Sequence, residues 1–258
     1  GILLMSQCLG VDWTGKRVSI VGDSYSAYGN GTIHGSARSL LYPGATVKSE
    51  DQMWWAQVIR EFGGVLETNR SQPGSFITLT WGLAQSFTWR AQNGQLGNPD
   101  IILVLGGLND CWMGDVYKMT VARFKTGVNT FFDLLDKEYG RAEKYIVLCK
   151  IHEWIDYHWG LFPEYRNVLR DCARQRKYRV IDLDGYYGNE EGDFDTPESP
   201  HPTLQGMNKI AQRVISEIRN GPGGYRELYD GLKTDDRGYL VTDYVPNLER
   251  TKVTVRAK

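Results

Sequence analysis

Four short polar stretches of the sequence contain a serine, a histidine, acidic residues and amide donors. They are GDS at residues 22–24, NRSQPGS at 69–75, GGLND at 106–110 and ESPHPTLQG at 198–206. Together these residue types could support nucleophilic catalysis by a serine hydroxyl. In parallel α/β sheets, sites form beyond the carboxyl ends of the strands. We therefore expect the four stretches to converge at one edge of a sheet.

Ser24 and His201 are the candidate nucleophile and base. A serine hydroxyl is a weak nucleophile and needs a base within hydrogen-bonding distance. A neutral His201 imidazole could take the proton of Ser24 and return it to the leaving group. Glu198 lies three residues before His201 and could hold the other ring nitrogen, which would select the tautomer.

Three groups are predicted to stabilise the negative charge that develops on the substrate oxygen. Ser24 could offer its backbone N–H if it starts a helix, and Gly74 could offer an N–H where no side chain blocks close approach. Asn109 could offer a carboxamide N–H. Simple structural roles are the alternatives: Ser24 and Asn109 could cap helices, and Gly74 could serve a turn.

The elements that must position these residues follow an alternating pattern. Apolar, mostly β-branched runs predict strands at residues 17–21, 64–68, 101–105, 145–149 and 179–183. Helical spacing of apolar residues predicts helices at 52–62, 116–139, 162–177 and 204–219. Short continuous apolar runs are typical of strands covered on both faces, and their alternation with helices predicts a parallel sheet.

The predicted fold is therefore α/β: a three-layer α/β/α sandwich around a central, mostly five-stranded parallel sheet. We assign residues 1–220 to this domain and residues 221–258 to a small C-terminal extension packed on it. The sequence GPGG at 221–224 ends the helical pattern. The segments GYLVTDYV and TKVTVRAK that follow are compatible with a β-hairpin.

The four polar stretches, in this order, resemble the motif blocks of the SGNH (GDSL-type) hydrolase family over residues 16–218. GDSY resembles the first block, NRSQPGS the second, GGLND the third and ESPHPTLQG the last. The resemblance implies a flavodoxin-like α/β fold and no metal or organic cofactor. It also implies Ser24 as nucleophile, His201 as base, and Gly74 and Asn109 as oxyanion donors.

Two positions depart from the family pattern. The family has Asp three residues before the histidine, whereas this chain has Glu198, so Asp195 or a backbone carbonyl remain alternatives for orienting the ring. Tyr25 stands where the GDSL name has leucine.

Several aromatic residues and one histidine are candidates for lining the substrate pocket, because they follow the third and fourth predicted strands: Trp112, Trp154, His158 and Trp159. The alternative is that they pack the loops together. The stretch HEWIDYH at 152–158 lacks the H-E-x-x-H spacing, so no metal site is predicted.

The composition excludes several other classes of protein. A net charge of −1 with 24% charged residues gives no basic patch for nucleic acid. No apolar run approaches the roughly 20 residues that span a bilayer. The 4 cysteines form no C-x-x-C pair, so neither a zinc cage nor a redox motif is expected. We expect a soluble protein, cytoplasmic or exported by a leader that this sequence lacks.

The predicted function is hydrolysis of carboxylic esters through an acyl-Ser24 intermediate. The resemblance implies acetyl or other short acyl esters, and the 8 Trp and 15 Tyr favour a carbohydrate ester because aromatic faces stack on sugars. The alternatives are a lysophospholipase, thioesterase or acyltransferase with the same Ser–His pair. A non-catalytic carbohydrate-binding module on the same scaffold is a further alternative.

Overall fold

The computed structural model describes residues 11–29, 32–33, 36–37, 42–81, 84–151, 161–188, 190–194 and 201–219. The chain divides into two units, Gly1–Arg219 and Asn220–Lys258. The described residues all lie in the first unit. The C-terminal extension and its β-hairpin lie outside them and stay predictions.

A five-stranded parallel sheet forms the centre of the fold. Its strands are β1 (Arg17–Gly22), β4 (Val65–Asn69), β5 (Ile101–Leu105), β6 (Glu143–Leu148) and β7 (Arg179–Asp182). Their order across the sheet is β4-β1-β5-β6-β7, and every neighbouring pair is parallel. Between β1 and β4 in the chain, β2 (Thr32–Ile33) and β3 (Ser36–Ala37) form a separate antiparallel pair. The prediction of a five-stranded parallel sheet is confirmed.

Helices cover both faces of this sheet and complete the α/β/α sandwich. They are α1 (Trp54–Phe62), α2 (Phe87–Ala91), α3 (Leu108–Trp112), α4 (Val121–Glu138), α5 (Phe162–Gln175) and α6 (Leu204–Arg219). Helix α1 packs on α6, and α4 packs on α5. Strand β5 is buried along its whole length, as expected of a strand covered on both faces.

Two helices begin later than their apolar patterns predict. A 3-10 turn at Glu50–Gln52 precedes α1, which therefore starts at Trp54. Helix α4 starts at Val121 because the side chain of Thr120 caps it, accepting a hydrogen bond of 3.1 Å from the N–H of Arg123.

The parallel arrangement places three of the four polar stretches at one edge of the sheet. Strands β4, β1 and β5 are neighbours and run in the same direction, and they end at Asn69, Gly22 and Leu105. The residues that follow these ends are those of the first three stretches. None of the described helices is both long and apolar enough to cross a membrane.

Candidate active site

Ser24 lies in a tight turn directly after β1. The carbonyl of Asp23 accepts hydrogen bonds of 3.1 Å from the N–H groups of both Ser26 and Ala27, and its carboxylate accepts one of 3.0 Å from the N–H of Tyr25. Residues 23–26 therefore form a turn and do not start a helix. The turn ends the strand and leaves the Ser24 side chain at the edge of the sheet.

The hydroxyl of Ser24 lies beside the imidazole of His201. Nε2 of His201 is 3.0 Å from Oγ of Ser24, although 177 residues separate the two in sequence. Burial lowers the pKa of His201 to about 4, because a charged ring loses its hydration there. At pH 7 the ring is therefore neutral, which is the form that accepts a proton. With its proton on Nδ1, Nε2 accepts the hydrogen bond from Ser24.

Hydrogen bonds hold the residues that follow His201 against other parts of the domain. The carbonyl of Pro202 accepts a hydrogen bond of 2.6 Å from the hydroxyl of Tyr42. The N–H of Thr203 donates to the carbonyl of Asp193 at 3.0 Å. These bonds fix the backbone on the carboxyl side of His201, and so they limit the positions that its ring can take.

A hydrogen bond connects the segment that contains Gly74 to the end of β1. The N–H of Gln72 donates to the carbonyl of Gly22 at 3.0 Å, and Nε1 of Trp81 donates to the carbonyl of Gly74 at 2.7 Å. Gly74 has a φ of +70°, which glycine adopts at little cost. No described residue accepts a hydrogen bond from the N–H of Gly74 or Ser24. Both donors are therefore free to meet a ligand.

Asn109 is the second residue of α3, which the left-handed Gly107 precedes as N-cap with a φ of +96°. Its Nδ2 donates a hydrogen bond of 3.1 Å to the carbonyl of Ser75, next to Gly74. This bond orients the carboxamide and leaves a second amide hydrogen on Nδ2. Gly74 and Asn109, which come from different strand ends, are thus brought together.

Asp110 joins α3 to the segment that follows Gly74. Its fully buried carboxylate accepts hydrogen bonds from the N–H of Ile77 at 2.9 Å, the N–H of Thr78 at 3.1 Å and the hydroxyl of Thr78 at 2.6 Å. Burial nevertheless raises the pKa of Asp110 to about 6. The sequence stretch GGLND contains this residue, but its positioning role was not predicted.

Of the remaining predicted site residues, only Trp112 is among those that the structure describes. Trp112 lies three residues after Asn109 on α3, and 50% of it is exposed. The others lie outside the described residues: Trp154, His158, Trp159, Glu198 and its alternative Asp195. Among the described residues, no group of three or more His, Cys, Asp or Glu side chains could hold a metal ion.

Comparison with known proteins identifies the family. The family model of the GDSL-like lipases and acylhydrolases matches residues 16–218. The chain belongs to this family. It is therefore an ester hydrolase of the SGNH type, as its motif blocks predict. No curated protein gives a significant match.

Several solved structures resemble this GDSL-like hydrolase. A candidate GDSL-like lipase from Bacteroides ovatus is 25% identical, with a TM-score of 0.58 over 78% of this chain and 96% of that one. Another from Bacteroides uniformis is 28% identical, with a TM-score of 0.56 over 78% and 93% of the two chains. An acetyl xylan esterase from Geobacillus stearothermophilus is 15% identical, with a TM-score of 0.57 over 80% and 96%, and shares the fold.

Two further buried charges beside the site of this GDSL-like hydrolase were missed by sequence reasoning. Asp193 accepts hydrogen bonds from the N–H groups of Gly188 and Glu190 at 2.7 and 3.3 Å, and forms an ion pair of 2.8 Å with Lys209. Arg90 is 2% exposed and reaches the end of β1. Asp193 lies five residues before the last motif block, which is a weak signal that many exposed charges share, whereas Arg90 lies far from every block and carries no such signal.

The burial of His201 predicts an unusually acidic imidazole. Burial alone lowers the pKa of His201 to about 4, and a carboxylate bound to Nδ1 would raise it again, so its ring resonances should shift with a midpoint between about 4 and the usual value of about 6.5. The measurement is an NMR titration of the ring protons, assigned by their loss in His201→Gln. A midpoint at or above pH 6.5 would contradict the prediction and show that a negative charge outweighs burial.

Proposed function

We propose that this GDSL-like hydrolase cleaves carboxylic esters through an acyl intermediate on Ser24, with His201 as the base. The observation that carries the proposal is the distance of 3.0 Å between Oγ of Ser24 and Nε2 of a neutral His201. Proton transfer needs the nucleophile and base within hydrogen-bonding distance, and this pair satisfies that condition.

The reaction follows from the two side chains. Oγ of Ser24 attacks the acyl carbon while Nε2 of His201 takes the hydroxyl proton, and the carbonyl π electrons move to the substrate oxygen. When the C–O bond to the alcohol breaks, the imidazolium returns that proton to the leaving alkoxide. A water molecule then attacks the acyl carbon with His201 again as base. This step releases the carboxylic acid and regenerates Ser24.

The negative charge on the substrate oxygen is bound by three donors in this proposal. They are the backbone N–H groups of Ser24 and Gly74 and the Nδ2 group of Asn109. Two observations support it: neither N–H is used by a described residue, and the carboxamide is already oriented by the carbonyl of Ser75. Donors fixed before the reaction need no reorganisation as the charge develops.

Glu198 is proposed to complete the triad by accepting a hydrogen bond from Nδ1 of His201. A carboxylate at this position would stabilise the imidazolium that forms during catalysis. It would also oppose the effect of burial on the pKa of the ring. Asp195 or a backbone carbonyl are the alternatives for this role.

Acetyl or other short acyl esters of carbohydrates are the substrates that we propose. Trp112, half exposed and three residues from Asn109 on the same helix, offers an aromatic face of the kind that stacks on sugars. The fold is shared with the acetyl xylan esterase from Geobacillus stearothermophilus. Trp154, His158 and Trp159 are proposed to extend the lining of the pocket.

Covalent labelling tests the nucleophile. A fluorophosphonate should add one label to Ser24 and abolish ester hydrolysis, because only this serine has a base at hydrogen-bonding distance among the described residues. Peptide mass spectrometry locates the label. Ser24→Ala should fold normally and take up no label, and protein unfolded in urea should also remain unlabelled. Loss of activity through labelling of another serine would overturn the assignment.

Substitutions test the base and the acid separately. His201→Ala should lose roughly 10²–10⁴-fold in kcat, the usual range for a general base. Glu198→Gln should lose less, since that carboxylate orients the ring and stabilises its charged form but does not itself transfer the proton, and Asp195→Asn should lose little. The measurement is kcat for a nitrophenyl ester. A larger loss in Asp195→Asn than in Glu198→Gln would make Asp195 the acid.

Acyl chain length tests the substrate class. If the pocket accepts acetyl groups, kcat/KM for nitrophenyl esters should fall at least about 10-fold from acetate to octanoate. A pocket built for long chains would do the opposite, because each buried methylene adds roughly 0.8 kcal/mol of binding. An increase with length would therefore favour the lysophospholipase or thioesterase alternative. Acetylated oligosaccharides then test the sugar part.

A further inference from the structure

We infer that Arg90 is a positioning residue that holds the two oxyanion donors Gly74 and Asn109 against the nucleophile strand. The inference rests on the proposed function, since it concerns how the proposed oxyanion donors are held. Arg90 lies on α2, outside the four motif blocks. It acts through the backbone and through Ser75 and does not touch the reacting atoms.

The guanidinium of Arg90 links three segments of chain. Its Nη1 donates to the carbonyl of Gly22 at 3.2 Å and also to the carbonyl of Arg70, and its Nη2 donates to Oγ of Ser75 at 2.7 Å. Its Nε donates to the carbonyl of Gln85 at 3.0 Å, five residues before it and just ahead of α2. One planar group thus joins the end of β1, the segment after β4 and the start of α2.

Ser75 connects Arg90 to both proposed oxyanion donors, Gly74 and Asn109. Its peptide bond follows Gly74 directly, so holding the Ser75 side chain limits where the N–H of Gly74 can point. Its hydroxyl accepts from Arg90 and donates to the carbonyl of Gln72 at 2.7 Å, while its own carbonyl accepts from Nδ2 of Asn109. Ser75 is therefore the junction between Arg90 and the oxyanion donors.

The carbonyl of Gly22, at the end of β1, accepts the hydrogen bonds that tie Arg90 and the Gly74 segment to this strand. It accepts from Nη1 of Arg90 at 3.2 Å and from the N–H of Gln72 at 3.0 Å. Gly22 is the last residue of β1 and lies two residues before Ser24. The position of Gly74 is thereby set relative to the same strand that presents the nucleophile.

Arg90 makes no direct ion pair with a described carboxylate, although it and the buried Asp23 attract each other over a longer distance. All its hydrogen bonds to described residues go to uncharged oxygen atoms, and no described carboxylate lies within 4.0 Å of it. Burying a cation without a direct ion pair costs free energy, so the desolvation of Arg90 lowers the stability of the folded state. The ring of Phe87, 4.8 Å from the guanidinium carbon, offsets part of it.

Arginine suits this task better than other side chains. Its donors are fixed in one plane and reach several acceptors at once, whereas lysine offers a single compact ammonium group. Burial lowers the pKa of Arg90 only to about 9, and attraction by Asp23 opposes that decrease. The group therefore stays charged, and its hydrogen bonds to the carbonyls remain strong, at the pH where the enzyme would work.

Removal of Arg90 should lower kcat more than it raises KM, because the oxyanion donors bind charge that exists only in the transition state. We expect Arg90→Gln to lower kcat about 10–100-fold with KM within about 3-fold. Arg90→Lys should recover part of this loss. Ser75→Ala should also lower kcat. The double variant should be no worse than Arg90→Gln alone, because both act through one junction.

The control is Arg176→Gln. Arg176 also lies over an aromatic ring, that of Phe132 at 5.8 Å, and pairs with Asp136 at 3.6 Å. It follows α5 and precedes β7, and so it lies near the amino-terminal ends of the strands, whereas Ser24 lies at their carboxyl ends. Its loss should leave kcat unchanged, even if the melting temperature falls.

Hydrogen exchange of the amides in residues 70–78 gives a readout that needs no activity. Arg90→Gln should speed exchange there, and Arg176→Gln should not. Unchanged kcat and unchanged exchange in Arg90→Gln would overturn the inference, as would equal losses of kcat in Arg90→Gln and Arg176→Gln. If the parent protein cleaves no ester, the proposed function fails. The exchange rates alone then decide whether Arg90 positions this segment.

Discussion

The proposed chemistry requires the hydrogen bond between Ser24 and His201. This bond joins the end of β1 to the residues just before α6, and the five strands and the helices between them bring these points to 3.0 Å. A base even 1–2 Å further away would no longer form a hydrogen bond. The parallel sheet meets this demand because its strand ends share one edge, so that residues from distant parts of the chain become neighbours.

Buried polar groups, more than the apolar core, define the geometry at that edge. Asp23 shapes the turn at Ser24, and Asp110 fixes the segment after Gly74. Burial raises the pKa of Asp23 to about 7 and that of Asp110 to about 6. These carboxyl groups therefore cost free energy when ionised, and the fold accepts this cost where backbone direction matters most.

Much of the architecture could be predicted from apolar periodicity alone. The bounds of β5 and α6 agree with their patterns, because a continuous apolar run and a long amphipathic segment both give strong signals. Helices α2 and α3 are too short to show a helical period, and they were not predicted.

The candidate site was predictable only in part, for a different physical reason. Ser24, Gly74, Asn109 and His201 belong to motif blocks, and the structure brings them to one edge of the sheet. The role of Arg90 depends on which carbonyls it meets after folding, and no local pattern encodes such contacts. The low pKa of His201 likewise depends on burial by residues distant in sequence. Glu198 and the aromatic lining beyond Trp112 stay predictions.

The long separation between Ser24 and His201 also has a consequence for the newly synthesised chain. Ribosomes add roughly 5–20 residues per second, so the 177 residues from Tyr25 to His201 take on the order of 9–35 s to make. During that time β1 and Ser24 exist without the imidazole that the proposed mechanism requires. Under the proposed mechanism, the nascent chain therefore cannot cleave esters until His201 has been made and lies beside Ser24.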